Sequence, residues 1–323
     1  MRQRLLGQTG LSVPAIMLGG NVFGWTLNES ESFRILDSAF DAGLTFIDTA
    51  DIYSTWVPGH TGGESETIIG KWFARTGKRN QVTLATKVGM DMGGGKKGLA
   101  AKYMERAVED SLRRLQADHI DLYQSHQDDP TVSLEETLSA FDAMIQKGKV
   151  RFIGASNYSG ARLKEALETS KRTGLARYQT LQPHYNMMER DPYETNLAPV
   201  AVEYGLGVIP YFSLASGFLT GKYRSQADLA GKPRGGGVAK YLNDPSYADR
   251  GLAVLSALDE VAGEYRSTPA RVALAWLMTR PGVVAPIASA TTTDHVNDLA
   301  EAANLELSHA ALDRLTAASA PAA

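Results

Sequence analysis

Short apolar runs and amphipathic stretches alternate along almost the whole chain, and that alternation constrains the fold more than any other feature. Runs rich in Val, Ile, Leu and Phe recur at 15–20 (AIMLGG), 45–48 (TFID), 82–87 (VTLATK) and 119–126 (HIDLYQSH). They continue at 150–157 (VRFIGASN), 178–182 (YQTLQ), 207–211 (GVIPY) and 283–289 (VVAPIAS). Such short apolar runs suit strands covered on both faces, as in parallel sheets. Between them lie helical patterns. In ESFRILDSAFDAG, Phe33, Leu36 and Phe40 share one face and Gly43 supplies a C-cap. The stretches 101–115, 133–148, 159–174, 249–265 and 268–278 behave alike. Ser133 with Glu136 reads as a capping box, Gly148 as a stop, and Thr268 before Pro269 as an N-cap. Eight strand–helix units in 323 residues predict an α/β fold, a closed (β/α)8 TIM barrel forming one domain over 1–323.

Two segments stand outside the repeat. RQRLLGQTGLSVPAI (2–16) reads as an N-terminal β-hairpin turning at Gly10, placed to plug the bottom of the barrel. The segment 221–245, after strand seven, is rich in Gly and Lys without a strong apolar period, so a long loop is expected there. A doubly wound open sheet is the competing fold. It calls for Gly-x-Gly-x-x-Gly after a strand, and LGGNVFG (18–24) has its glycines at other spacings.

A formal net charge of −3 gives no electrostatic ground for a nucleic acid or an anionic membrane as partner. Nothing here fixes the oligomeric state. The chain has no cysteine, which removes disulfides, thiolate metal sites and a thiol nucleophile together. Its six histidines never form a short metal-ligating pattern, so no metal is expected. No run approaches about 20 apolar residues, and MRQRLLGQTG lacks a signal-like apolar region, so a cytoplasmic protein is expected.

In a barrel of this kind, chemistry collects where the strands end. The candidate ends carry Asp48, Lys87, His126, Ser156 with Asn157, Gln182, Tyr211 and Ser289, every one polar. Each alone has a structural explanation as a cap, a turn residue or a partner for buried backbone; together on one face they favour a reactive pocket. A phenol is a poor acid unless a cation favours its phenolate. Lys87 offers Tyr53 that cation, Asp48 can orient Lys87, and His126 can donate an N–H to a substrate oxygen. Such a set can protonate a carbonyl oxygen while a nicotinamide delivers hydride to the carbon.

The stretches GLTFIDTADIY, ATKVG, IDLYQSHQDD, VRFIGASNYS, LQPHYN and LASGFLTGKY follow one another in order. With them the chain resembles the aldo-keto reductase superfamily over essentially its whole length. The resemblance implies a catalytic tetrad of Asp48, Tyr53, Lys87 and His126, and nicotinamide contacts at Ser156, Asn157, Gln182 and Tyr211. Two departures matter. Where the family often reads Tyr-Ser-Pro-Leu, this chain reads Tyr211-Phe212-Ser213-Leu214. The pyrophosphate contact is then expected from Ser213 and from backbone between Leu214 and Gly217, with Lys222 nearby. After strand eight, Ser289 and Thr291 supply hydroxyls but no Lys or Arg precedes Asp294. NADPH is the expected cofactor with NADH as the alternative, and Asp298 is expected near the adenine.

Phe23, Trp25 and Trp56 are expected to wall the pocket for a small carbonyl substrate, sugars and other hydroxylated compounds included. Residues 221–245 are expected to fold over the dinucleotide. Three rival readings remain: a Schiff-base aldolase using Lys87, a nucleotide-sensing channel subunit of reductase fold, and a metal-dependent hydrolase built on Asp51, His126, Asp128 and Asp129.

Overall fold

The computed structural model describes residues 1–232 and 234–321. A two-stranded antiparallel hairpin, β1 (Gln3–Leu5) and β2 (Ser12–Pro14), comes first. Eight strands follow in one parallel sheet: β3 (Met17–Gly19), β4 (Phe46–Asp48), β5 (Thr83–Val88), β6 (Ile120–Ser125), β7 (Val150–Ser156), β8 (Tyr178–Gln182), β9 (Gly207–Val208) and β10 (Ile287–Ala288). Their order is β10-β3-β4-β5-β6-β7-β8-β9. The two ends meet: Val284 N–H donates to the Val208 carbonyl at 2.8 Å and Ile287 N–H to that of Pro210 at 2.9 Å. The sheet is therefore a (β/α)8 barrel, as the alternation predicts.

The helices are α1 (Glu29–Asp41), α2 (Glu64–Thr76), α3 (Ala101–Leu115), α4 (Leu134–Gln146), α5 (Gly160–Thr173) and α6 (Ala198–Glu203). Then come α7 (Gly235–Asn243), α8 (Ala248–Glu264), α9 (Pro269–Leu277), α10 (Thr293–Ala302) and α11 (His309–Ala318). One buried apolar cluster fills the layer between strands and helices. A second fills the barrel itself, and Leu6 and Val13 of the hairpin join Met17, Phe46, Leu122 and Ile209 within it. The hairpin is thus a plug. Gly7 takes φ +53°, and a Cβ there would lie 2.4 Å from the Gln179 carbonyl oxygen, so only glycine lets the hairpin seat this closely.

Three local expectations are corrected. Strands seven and eight shrink to two residues each, because Pro210 and Pro286 cannot donate to a ladder. Ser133 does accept from Glu136 N–H, but the Glu136 carboxylate turns to Ala101 N–H at 3.0 Å, so the capping box is not reciprocal. A reciprocal box forms instead between Asn28 and Glu31, at the start of α1. The segment 221–245 is no plain loop: it holds α7, whose Val238 and Tyr241 are buried. Pro233 within it lies outside the described residues.

Candidate active site

Asp48 is the last residue of β4 and Lys87 the last but one of β5, so the sheet register brings both to the same rim. Lys87 is completely buried, and its Nζ donates to Asp48 Oδ2 at 2.8 Å, to the Thr49 carbonyl at 2.8 Å and to Tyr53 Oη at 2.9 Å. Tyr53 O–H in turn donates to Asp48 Oδ2 at 3.0 Å. Asp48 Oδ1 accepts from Gln182 Nε2 at 3.0 Å. One carboxylate thus fixes an ammonium, a phenol and an amide. His126 follows β6, anchored by its N–H to the Val88 carbonyl at 2.8 Å, with its ring 6.1 Å from that of Tyr53.

Burial is the main influence on all three titratable partners. It raises the Tyr53 phenol well above its ordinary value, and the Asp48 charge adds to the rise. It lowers Lys87, against the opposing pull of Asp48. It lowers His126 well below its ordinary value, with repulsion from Lys87 adding, so the imidazole is neutral and carries one N–H. In this arrangement the phenol keeps its proton, as an acid must. Lys87 meets the phenol at 2.9 Å, while burial and the Asp48 charge set the direction of its shift.

Next to this group, Asn157 takes φ +55° and donates from Nδ2 to the His126 carbonyl at 2.8 Å. Its Oδ1 accepts from Tyr211 O–H at 2.8 Å. Ser156 Oγ donates to the Gln182 carbonyl at 2.8 Å. The Tyr211 ring lies parallel to that of His184, 5.3 Å between centroids and 14° between planes. Beyond it, Phe212, Ala215, Ser216 and Gly217 all take positive φ, so this loop stores backbone strain.

A cavity of about 1080 Å³ joins these groups. Asp48, Tyr53, Trp56, His126, Ser156, Asn157, Gln182 and Tyr211 line it. So do Ser213, Leu214, Gly217, Lys222, Ser289, Thr291 and Asp298. Several of the expected contacts are engaged elsewhere. Ser213 Oγ donates to the Pro210 carbonyl at 2.9 Å, Ser289 Oγ to Asn21 Oδ1 at 2.5 Å. The Asp298 carboxylate accepts from Arg271 Nε at 2.7 Å. Of the three aromatic wall candidates, Trp56 lines the cavity; Trp25 is not among the lining residues and stands behind Trp56, meeting its ring edge to face at 5.6 Å. Phe23 is wholly buried in the core. Sequence reading missed His295, which lies 3.2 Å from Thr291 Oγ1, and Arg234, which lines the cavity from the start of α7. The first follows its threonine by four residues, one helical turn; the second sits in a segment whose helix was not foreseen.

The hydrolase set does not converge. Asp128 is bonded to Arg162 at 3.0 Å, and Asp129 accepts from Leu99 N–H at 2.9 Å. Among the described residues no group of three metal-ligating side chains occurs. None of the described helices is long and apolar enough to cross a membrane.

The sequence pattern of the Aldo/keto reductase family matches residues 15–320. The chain is 36% identical to the uncharacterized oxidoreductase YrpG of Bacillus subtilis, over 95% of this chain and 92% of that one. It is 34% identical to the aldo-keto reductase YhdN of the same organism, over 87% and 82%. A probable voltage-gated potassium channel subunit beta of Arabidopsis thaliana is 32% identical, over 92% and 90%. Likeness that runs from β3 to the end of α11, around every strand of the barrel and through the rim just described, shows that the chain belongs to the aldo/keto reductase family.

Proposed function

We propose that residues 1–323 form one catalytic domain that reduces aldehyde or ketone groups of small molecules with NADPH, Tyr53 acting as the acid. The observation that carries this reading is the Tyr53 hydroxyl, which donates to Asp48 while accepting from Lys87 at the cavity wall. The dinucleotide supplies hydride. The cavity suits it: Lys222 lines the space beside the loop after Tyr211, and no carboxylate among the described residues neutralises it. Tyr211 would stack on the nicotinamide, Ser156, Asn157 and Gln182 would orient its amide, and the rim at Ser289, Thr291 and His295 would meet the ribose phosphate.

Tyr53 hands its proton to the substrate oxygen as that oxygen gains charge. Lys87 then stabilises the phenolate left behind, and the His126 N–H holds the same oxygen in line. Asp48 keeps Lys87 aimed at the phenol throughout. Tyr53→Phe removes the proton and little else. NADPH binding, followed through Trp fluorescence, should survive, and turnover should fall by about 10²–10⁴-fold, the usual worth of a placed acid. Retention of more than about a tenth of the turnover would sink the reading.

Lys87 argues against a Schiff-base aldolase: burial disfavours its charge, but three acceptors within 2.9 Å hold it as an ammonium without a free lone pair. A nucleotide-sensing role is the second reading; two relatives are named as channel subunits rather than as reductases. It expects tight NADPH binding with negligible turnover of any aldehyde.

A further inference from the structure

The two cations of the cavity stand in different surroundings. Lys222 lies against the strained loop after Tyr211: a Cβ on Gly217 would sit 3.6 Å from its Nζ. That is the dinucleotide side of the proposed site. Arg234 instead faces the aromatic side. Its guanidinium carbon is 5.5 Å from the Trp25 ring centroid. Trp25 meets Trp56 edge to face, and Trp56 lies 6.1 Å from the ring of Tyr53. An unbroken series of ring contacts therefore leads from the acid to a cation, and Tyr53, Trp56 and Arg234 open on the same cavity.

Guanidinium resting on an indole keeps its N–H edge free for a planar anion. No carboxylate among the described residues takes up that edge, while burial disfavours its charge. Neighbouring Lys222 feels Arg234 as a like charge. An anion reaching the guanidinium would relieve both costs. Aromatic walls between acid and cation suit a flat or apolar spacer.

Resting on the reductase reading, we propose that Arg234 anchors a carboxylate at the far end of the carbonyl substrate, so that acid-bearing aldehydes and ketones are preferred over neutral ones. The substrate would lie along Trp56, with Trp25 backing Trp56 and Arg234, its carbonyl oxygen at Tyr53 and its carboxylate on the Arg234 fork.

Two matched pairs test this: 4-formylbenzoate and the longer 4-formylcinnamate, each against its own methyl ester, which has the same shape without the charge. Wild-type protein should show kcat/KM for at least one acid about tenfold or more above its ester, the scale of one charge-assisted hydrogen bond. Arg234→Met should collapse that ratio, and Arg234→Lys should keep part of it, since the charge stays and the fork is lost. NADPH titration of each variant reads the dinucleotide site separately and reports that the barrel is intact. Acid and ester treated alike by the wild type overturn the anchor. So does Arg234→Met lowering both members equally while weakening NADPH, because Arg234 then serves the dinucleotide. A wild type that reduces neither aldehyde, with Tyr53→Phe indistinguishable from it, overturns the reductase reading and the anchor together.

Discussion

From β4 to β8 the polar groups at the barrel mouth engage one another: Lys87, Tyr53 and Gln182 all converge on Asp48, and Asn157 bridges Tyr211 to His126. From Tyr211 to α7 the pattern reverses. Three non-glycine residues, Phe212, Ala215 and Ser216, take positive φ, Phe212 stands 45% exposed, and Lys222 and Arg234 enter the cavity without a described counter-charge. The first region is tied together by its own hydrogen bonds, which suits the close placement that the proposed reaction needs. On the proposed function the second is completed by what binds to it: reaction geometry would be stored in the strands, and affinity in the strap that crosses them.

The sharpest break of that contrast is at Lys87. Lys87→Met should abolish turnover to at least the extent of Tyr53→Phe, because the phenolate loses its cation. It should also lower unfolding free energy by about 3–5 kcal/mol, the cost of leaving a buried partner such as Asp48 unpaired. Denaturant melts measure the second effect. An active, equally stable variant would mean that the β4–β8 wall is not the tied unit described.

Asp51 refines the same wall. It lies two residues before Tyr53, both side-chain oxygens are buried, and neither has a hydrogen-bond partner among the described residues. Burial, with the Glu66 carboxylate adding and Arg114 and Lys87 opposing, pushes it up to about 8. Its folded value thus exceeds its unfolded value, and the folded state holds a proton that the unfolded chain loses near pH 4. The stability this proton confers is whole below that point and is lost as pH rises to about 8, at about 1.4 kcal/mol per pH unit. Asp51→Asn should flatten this slope. An unchanged slope would show the carboxyl to be ionised and paired with Arg114.

How much of this the sequence could reveal differs between the two regions for physical reasons. The ends at Asp48, Lys87, His126, Asn157 and Gln182 were legible because each closes an apolar run on a parallel strand, and register then forces them together. Helix α2 was obscured by its central Gly70, whose role appears only in packing: a Cβ there would lie 2.1 Å from the Arg114 carbonyl oxygen. Helix α7 was hidden by three successive glycines, Gly235 to Gly237, that weaken helix propensity before Val238 and Tyr241 declare a buried face. Phe23 resembled a pocket residue in sequence, yet the chain turns it into the core; Ser213 does line the cavity, with its hydroxyl donated to the Pro210 carbonyl. The Arg271–Asp298 pair joins α9 to α10, a contact between helices that spacing alone cannot report.

The smallest effect tests the strap itself. Glu189 accepts from Lys240 at 2.5 Å and from the hydroxyls of Tyr241 and Tyr247 at 3.1 Å each, tying α7 and the turn after it to the barrel. Lys240 is substantially exposed, so water screens the ion pair and its share is modest. Glu189→Gln weakens three hydrogen bonds without emptying the site, a change of about 1 kcal/mol. That should raise local opening, and so protease cleavage between 224 and 245, by about fivefold, since cleavage of an opened segment follows its population. The melting of the barrel should barely move. Saturating NADPH should slow cleavage in both proteins if the strap closes over the dinucleotide. Equal cleavage with and without it would leave α7 as a structural helix and return the strap, like the wall opposite, to a part that is tied together before anything binds.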